Sequence, residues 1–146
     1  MPASTPRPWP GCAARESSDD AGRHGGLSVA FQVYRHYFDS LEEVLDDIRS
    51  DGYWPTTLVS KPSPAVDLHW HDSEVHGYVM QGKTWVLDGD TGERVDFGKG
   101  DKLVLPHGAL HAEGETTETM VYVVALPEPR PFDEFLRMRS PQEQPG

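Results

Sequence analysis

From Gly52 to Leu126 the chain is cut into short runs by turn-forming residues. This punctuation limits the fold more than any other feature. The turn signals are Gln81-Gly82, Asp88-Gly89-Asp90-Thr91-Gly92, Gly98-Lys99-Gly100-Asp101 and Pro106-His107-Gly108. The runs between them read as strands over 56–61, 66–71, 75–81, 84–88, 94–97, 102–105 and 119–126. Many short strands with regular turns predict a sandwich or small barrel. Ahead of them, 28–38 is rich in β-branched and aromatic residues, as strands are. Residues 41–51 predict a short helix. Ser40 is its N-cap, with Glu43 three residues later, and Gly52 sits at its C-terminal end. Leu41, Val44, Leu45 and Ile48 share its apolar face. Glu42, Glu43, Asp46 and Asp47 suit its dipole. A last short helix is predicted from Phe132 to Met138.

The expected organisation is one domain over 27–138 with a tail at each end. Residues 1–26 contain no Val, Ile, Leu or Phe. Such a stretch does not bury enough apolar surface to offset its ordering entropy and is expected to be disordered. The segment 139–146 reads as a flexible tail. No apolar run approaches the roughly 20 residues of a membrane span. A signal-peptide core is also missing from the first 26 residues, so the expected location is cytoplasmic. The net charge of −11 argues against a nucleic-acid or anionic-membrane partner. One cysteine, Cys12, excludes an internal disulfide and a thiolate zinc site.

Five of the seven histidines fall between 69 and 111. On a strand, residues i and i+2 face the same way. His69 and His71 therefore point together, with Val66, Leu68 and Trp70 assigned to the opposite face. His111 follows a Pro-x-Gly turn that is placed to bring a later strand beside them. Three neutral imidazoles suit Fe, Zn, Ni or Cu and leave coordination positions open.

The stretch Gly100-D-K-L-V-L-Pro106-H-Gly108-A-L-His111 resembles the second cupin motif, G-x5-P-x-G-x2-H, at every fixed position through the histidine. The final Asn of that motif is Glu115 here. The first motif, G-x5-H-x-H-x3,4-E-x6-G, is similar to Ser63 through Gly82. Its His pair and last Gly are present, and its first Gly is Ser63. The resemblance covers about 55–126. It implies an all-β fold, a single cupin jelly-roll barrel with a short N-terminal helix, and one divalent transition metal per chain. Iron is the first expectation, with zinc, nickel or manganese as alternatives.

The departure is the motif's glutamate. Counting back from Gly82 puts Val75 in its slot, and counting forward from His71 puts His76 there. An unbulged strand into the Gly82 hairpin favours the first count. The site is then His69, His71 and His111, with Val75 lining the cavity. A bulge after His71 would instead bring His76, or Glu74, onto the metal as a fourth ligand. Asp88 is a further carboxylate candidate, though it also suits an ordinary turn. The stretch Val75-H-Gly77-Y-V-M-Q-Gly82 is similar to three-histidine cupins that cleave diketones and hydroxy-ketones with O2.

That resemblance implies a mononuclear dioxygenase acting on a small oxygenated organic molecule. A non-oxidative isomerase or lyase and a non-enzymatic ligand-binding or sensor module remain the alternatives. His107, in the Pro-x-Gly turn, is the candidate catalytic proton relay. Glu113 and Glu115 are candidates to steer the metal's charge, or part of a solvated acidic face. Strand 28–38 is a candidate for homodimer formation, or for covering an edge of its own barrel.

Overall fold

The structure, a computed structural model, describes residues 31–143. The expected disordered stretch 1–26 lies outside the described residues, as do 27–30 and 144–146. The elements run β1 (Gln32–Tyr34), α1 (Leu41–Asp51), β2 (Trp54–Ser60), β3 (Val66–His69), β4 (Val75–Gln81), β5 (Lys83–Asp88), β6 (Arg94–Gly98), β7 (Lys102–Leu105), β8 (His111–Glu113) and β9 (Met120–Leu126). They form a five-stranded sheet in the order β1-β7-β4-β9-β2 and a four-stranded sheet in the order β3-β8-β5-β6. Neighbouring strands are antiparallel. The turn pattern predicts a sandwich or small barrel, and the two sheets agree with the jelly roll that the motif resemblance implies.

Period-two alternation sorts the side chains. Val75 and Val79 of β4, with Val124 and Leu126 of β9, meet Val86 of β5 and Phe97 of β6 between the sheets. Tyr78, Val123 and Ala125 point the other way and pack against Val44 and Ile48 of α1. One extra residue bulges β4 between its Val79–Tyr122 and Gln81–Val121 pairings. The expected strand had no bulge. This one lies beyond Val79, so Val75 still faces the core.

The helix has its expected bounds and caps. Ser40 accepts from the Glu43 amide at 3.2 Å, and Gly52 closes the helix in the left-handed conformation. Its buried stripe is narrower than expected. Val44, Asp47 and Ile48 are buried, while Leu41 and Leu45 are exposed. Asp47, read from sequence as part of the dipole-facing acidic set, is instead enclosed. It accepts from the Tyr37 hydroxyl at 2.9 Å, the Tyr78 hydroxyl at 2.6 Å and Lys102 Nζ at 2.8 Å. This polar cluster pins the helix to the sheet.

Three other expectations change. The strand at 28–38 is confined, among the described residues, to Gln32–Tyr34, which pairs with β7 at the edge of its own sheet. The chain then turns at Arg35-His36, where the His36 amide bonds to Asp101 Oδ1 at 3.0 Å. Residues 132–136 form turns and not a helix. Residues 139–143, expected to be loose tail, are docked: Arg139 bridges Trp70, and Pro141–Glu143 forms a 3₁₀ turn. Among the described residues no helix is long and apolar enough to cross a membrane.

Candidate metal centre

His69 ends β3 and pairs directly with His111 at the start of β8. The same-face rule puts His71 beside His69, and Glu113 beside His111. The three imidazoles converge. Ring centroids lie 4.3 Å apart for His69 and His111, 5.0 Å for His69 and His71, and 5.3 Å for His71 and His111. All three histidines are buried, His111 completely. Glu113 joins them, its side chain one-third exposed at 33%.

Each ring is held by its Nδ1. His69 Nδ1–H donates to the Asp67 carbonyl at 2.7 Å, His111 to Ala109 at 2.8 Å and His71 to Arg137 at 3.1 Å. A proton committed at Nδ1 leaves the Nε2 lone pair to face inward, as in metal-ligating histidines. The Pro-x-Gly turn contributes twice. Gly108, at φ +79°, donates its amide to the His71 carbonyl at 2.9 Å, and Ala109 supplies the acceptor for His111.

The Nε2 atoms of His69 and His111 are buried without a hydrogen-bond partner. Glu113 Oε2 lies 3.2 Å from the first and 3.5 Å from the second, close but without hydrogen-bond geometry. Buried polar atoms without partners are costly, and a cation among them would satisfy all of them at once. The donor atoms of His69, His71, His111 and Glu113 all lie within 4.8 Å of one another. Donors bound at about 2.1 Å stand at most ~4.2 Å apart, so a small contraction seats them on one ion. The residues present fit a borderline transition metal.

Electrostatics follow the same pattern. Burial, reinforced by neighbouring His111 and His69, pushes His71 down to about 4. Burial also disfavours charge on His69, but Glu113 and the Asp67 carbonyl outweigh it and raise its pKa. Glu113 is raised by burial, yet contact with His111 and His69 holds it well below the usual carboxylate range. Tyr122 of β9 is pushed above its ordinary value by burial and by the charge of Glu113.

Several expected site residues lie elsewhere. His76 does not join the cluster. Its Nε2 is 2.9 Å from Glu74, its Nδ1 is 3.6 Å from Asp51, and its ring stacks on Tyr53 at 4.6 Å. The reason is strand parity: with no bulge between Val75 and Val79, His76 takes the outer face and Val75 the core. Glu74 accordingly bonds His76 and the Tyr53 hydroxyl. His107 is exposed in its turn, 6.3 Å from the Trp70 ring. Asp88 caps its own turn, accepting from the Asp90 amide at 2.8 Å. The expected site is the three histidines with Val75 in the glutamate slot; neither of the alternative carboxylates, Glu74 and Asp88, joins it, and the carboxylate beside the histidines is Glu113 of β8. The signal was present: His111-x-Glu113 has the same spacing as His69-x-His71.

No family model and no curated protein matches the chain. Similar solved structures include a DUF861 family protein from Thermotoga maritima, with 18% identity and a TM-score of 0.49 over 66% of this chain and 98% of that one. A cupin-2 domain protein from Shewanella frigidimarina has 16% identity and a TM-score of 0.43 over 80% of this chain and 92% of that one. The TDP-quinovose 3,4-ketoisomerase from Campylobacter jejuni has 14% identity and a TM-score of 0.49 over 62% of this chain and 72% of that one. Identities this low say nothing of activity. The two antiparallel sheets, with the Pro-x-Gly turn tying the buried His69-x-His71 pair to His111, agree with the jelly-roll fold that the motif resemblance implies.

Proposed function

We propose that this protein is a metal-dependent cupin enzyme acting on a small oxygenated organic substrate, with an oxygen-dependent cleavage as its reaction. The observation that carries the reading is the common arrangement of the three histidines. Each has Nδ1 anchored on a backbone carbonyl, and their rings converge beside Glu113. His69, His71, His111 and Glu113 would hold the ion. Two His and one carboxylate, the donor types of non-haem Fe(II) oxygenases, are contained within this set. When bound, a divalent ion supplies Lewis-acid polarisation of substrate oxygens and, where redox-active, access to O2 chemistry.

The chain's own residues do the rest. The carbonyls of Asp67, Arg137 and Ala109 fix ring orientation. Glu113 contributes negative charge, lowering the net charge of a filled site. A second reading, isomerase or lyase chemistry without O2, is favoured by one observation. Tyr122 is a half-buried phenol whose pKa is raised by burial and by the charge of Glu113, so its hydroxyl stays neutral and serves as a hydrogen-bond donor.

Elemental analysis of protein purified without tag or chelator tests the metal. The expected result is roughly one iron per chain, lost in His111→Ala. Metal retained by His111→Ala would overturn the site. Turnover of diketones or hydroxy-ketones in air and not under argon is expected. Equal turnover under both would select the non-oxidative reading.

A further inference from the structure

The three histidines are anchored differently. His69 and His111 each bond a carbonyl two residues back in the chain, Asp67 on β3 and Ala109 in the turn that leads into β8, so local backbone orients them. His71 lies beyond the end of β3, and its Nδ1 partner is Arg137, 66 residues away. Its ring orientation therefore depends on where the C-terminal segment sits.

That segment is fastened at three consecutive residues. Trp70 exchanges backbone hydrogen bonds with Arg139 at 3.0 and 2.9 Å, and its indole N–H donates to the Ser140 carbonyl at 2.9 Å. His71 takes Arg137. Asp72 grips both ends of the segment: Oδ1 accepts from Arg130 at 2.9 Å, and Oδ2 from Arg139 at 2.7 and 3.2 Å. Between the ion pairs, Leu136 adopts φ +53° while packing on the core. A non-glycine residue holds this left-handed conformation only where its surroundings fix it. It immediately precedes the carbonyl-bearing Arg137. The gap bounded by His71, Asp72, Val75, Arg130 and Leu136 is about 10 Å³, no more than water-sized, so the segment is packed against the site.

We infer that residues 130–140 are a positioning strap of the metal centre, fixing His71 through the Arg137 carbonyl and locked by Asp72 between Arg130 and Arg139. The inference rests on the metal-binding reading above. Asp72 acts through the strap and then through His71, so it is a positioning residue.

Co(II) alone, titrated into the full-length chain, is the probe. Asp72→Asn is expected to weaken Co(II) binding about tenfold or more, the range for losing an outer partner of a ligand histidine. It is also expected to alter the Co(II) absorption spectrum. In a His71→Ala background the same change is expected to have no further effect on affinity, because the two residues act in series. Arg130→Gln and Arg139→Gln each remove one arm of the lock and are expected to give smaller losses of the same kind. They serve if Asp72→Asn does not fold. Wild-type affinity and spectrum in these variants would overturn the inference, as would an equal loss with and without His71. Failure of the wild-type chain to take up Co(II) is a separate result, which overturns the metal reading and the strap with it.

Discussion

His111 and Glu113 stand on one face of β8, two residues apart, and Glu113 Oε2 lies 3.5 Å from His111 Nε2 and 3.2 Å from His69 Nε2. The carboxylate thus reaches the histidines from the strand that supplies the third imidazole, and not from the strand after the HxH pair.

Glu113→Gln tests that placement. The amide keeps the shape and loses the charge. Metal affinity is expected to fall at least about tenfold. The raised pKa of His69 is expected to fall, since burial opposes its charge and Glu113, together with the Asp67 carbonyl, is what outweighs that burial. Calorimetric metal titration and an NMR titration of the metal-free protein check the two effects. Unchanged affinity would remove Glu113 from the donor set.

The metal-free chain has a defined pH response. His71 titrates at about 4 when folded and near 6.5 when unfolded. Above pH 6.5 it is neutral in both states and its contribution to stability is complete. Between 6.5 and 4 the unfolded chain takes up a proton that the folded chain refuses, so stability falls as pH falls. The full loss is on the order of 3 kcal/mol. His69 has the opposite sign. Its raised pKa stabilises fully below 6.5, and that contribution fades as pH rises through the folded value. Urea unfolding with chelator present, at pH 7 and pH 4.5, is expected to show this acid loss in wild type and a smaller one in His71→Asn. Parallel losses would refute the assignment.

Asp47 and Lys102 are a buried ion pair, with side-chain exposures of 5% and 7%. Asp47→Ala leaves Lys102 enclosed without its counter-charge and removes the acceptor of two tyrosine hydroxyls. The expected cost is about 3–5 kcal/mol in urea unfolding. Replacing both together, as Asp47→Leu with Lys102→Met, is expected to cost less than the single change, because no uncompensated charge remains. A double variant weaker than Asp47→Ala would contradict this.

Gly108→Ala isolates the turn's backbone conformation. A Cβ there meets nothing within 4 Å, so crowding contributes nothing. The φ of +79° costs an alanine roughly 1–2 kcal/mol. Because the Gly108 amide holds the His71 carbonyl, metal affinity is expected to weaken alongside stability. Loss of stability with metal binding intact would separate the turn from the site.

What the sequence determined by itself was local. The helix over 41–51, its Ser40 and Gly52 caps and the hairpin at Gln81-Gly82 follow from hydrogen bonds and dihedral preferences spanning a few residues. So does the common facing of His69 and His71, because side-chain alternation is a property of one strand. Turn spacing made a sandwich or small barrel legible, and the resemblance of 63–82 and 100–111 to the two cupin motifs implied the jelly roll. Tertiary structure decided which groups became partners. Asp47 reads as one of several helix acids until Tyr78 and Lys102 arrive from 31 and 55 residues away. Glu113 reads either as a group that steers the metal's charge or as part of a solvated acidic face until β8 pairs with β3 and its oxygen meets His69. The segment 130–140 reads as a short helix over 132–138 followed by a loose tail, and its role at His71 appears only in the folded chain, because its partners Trp70, His71 and Asp72 lie far back in the sequence. The stability of a buried charge or an anchored imidazole depends on its enclosing groups, and those come from distant parts of the chain.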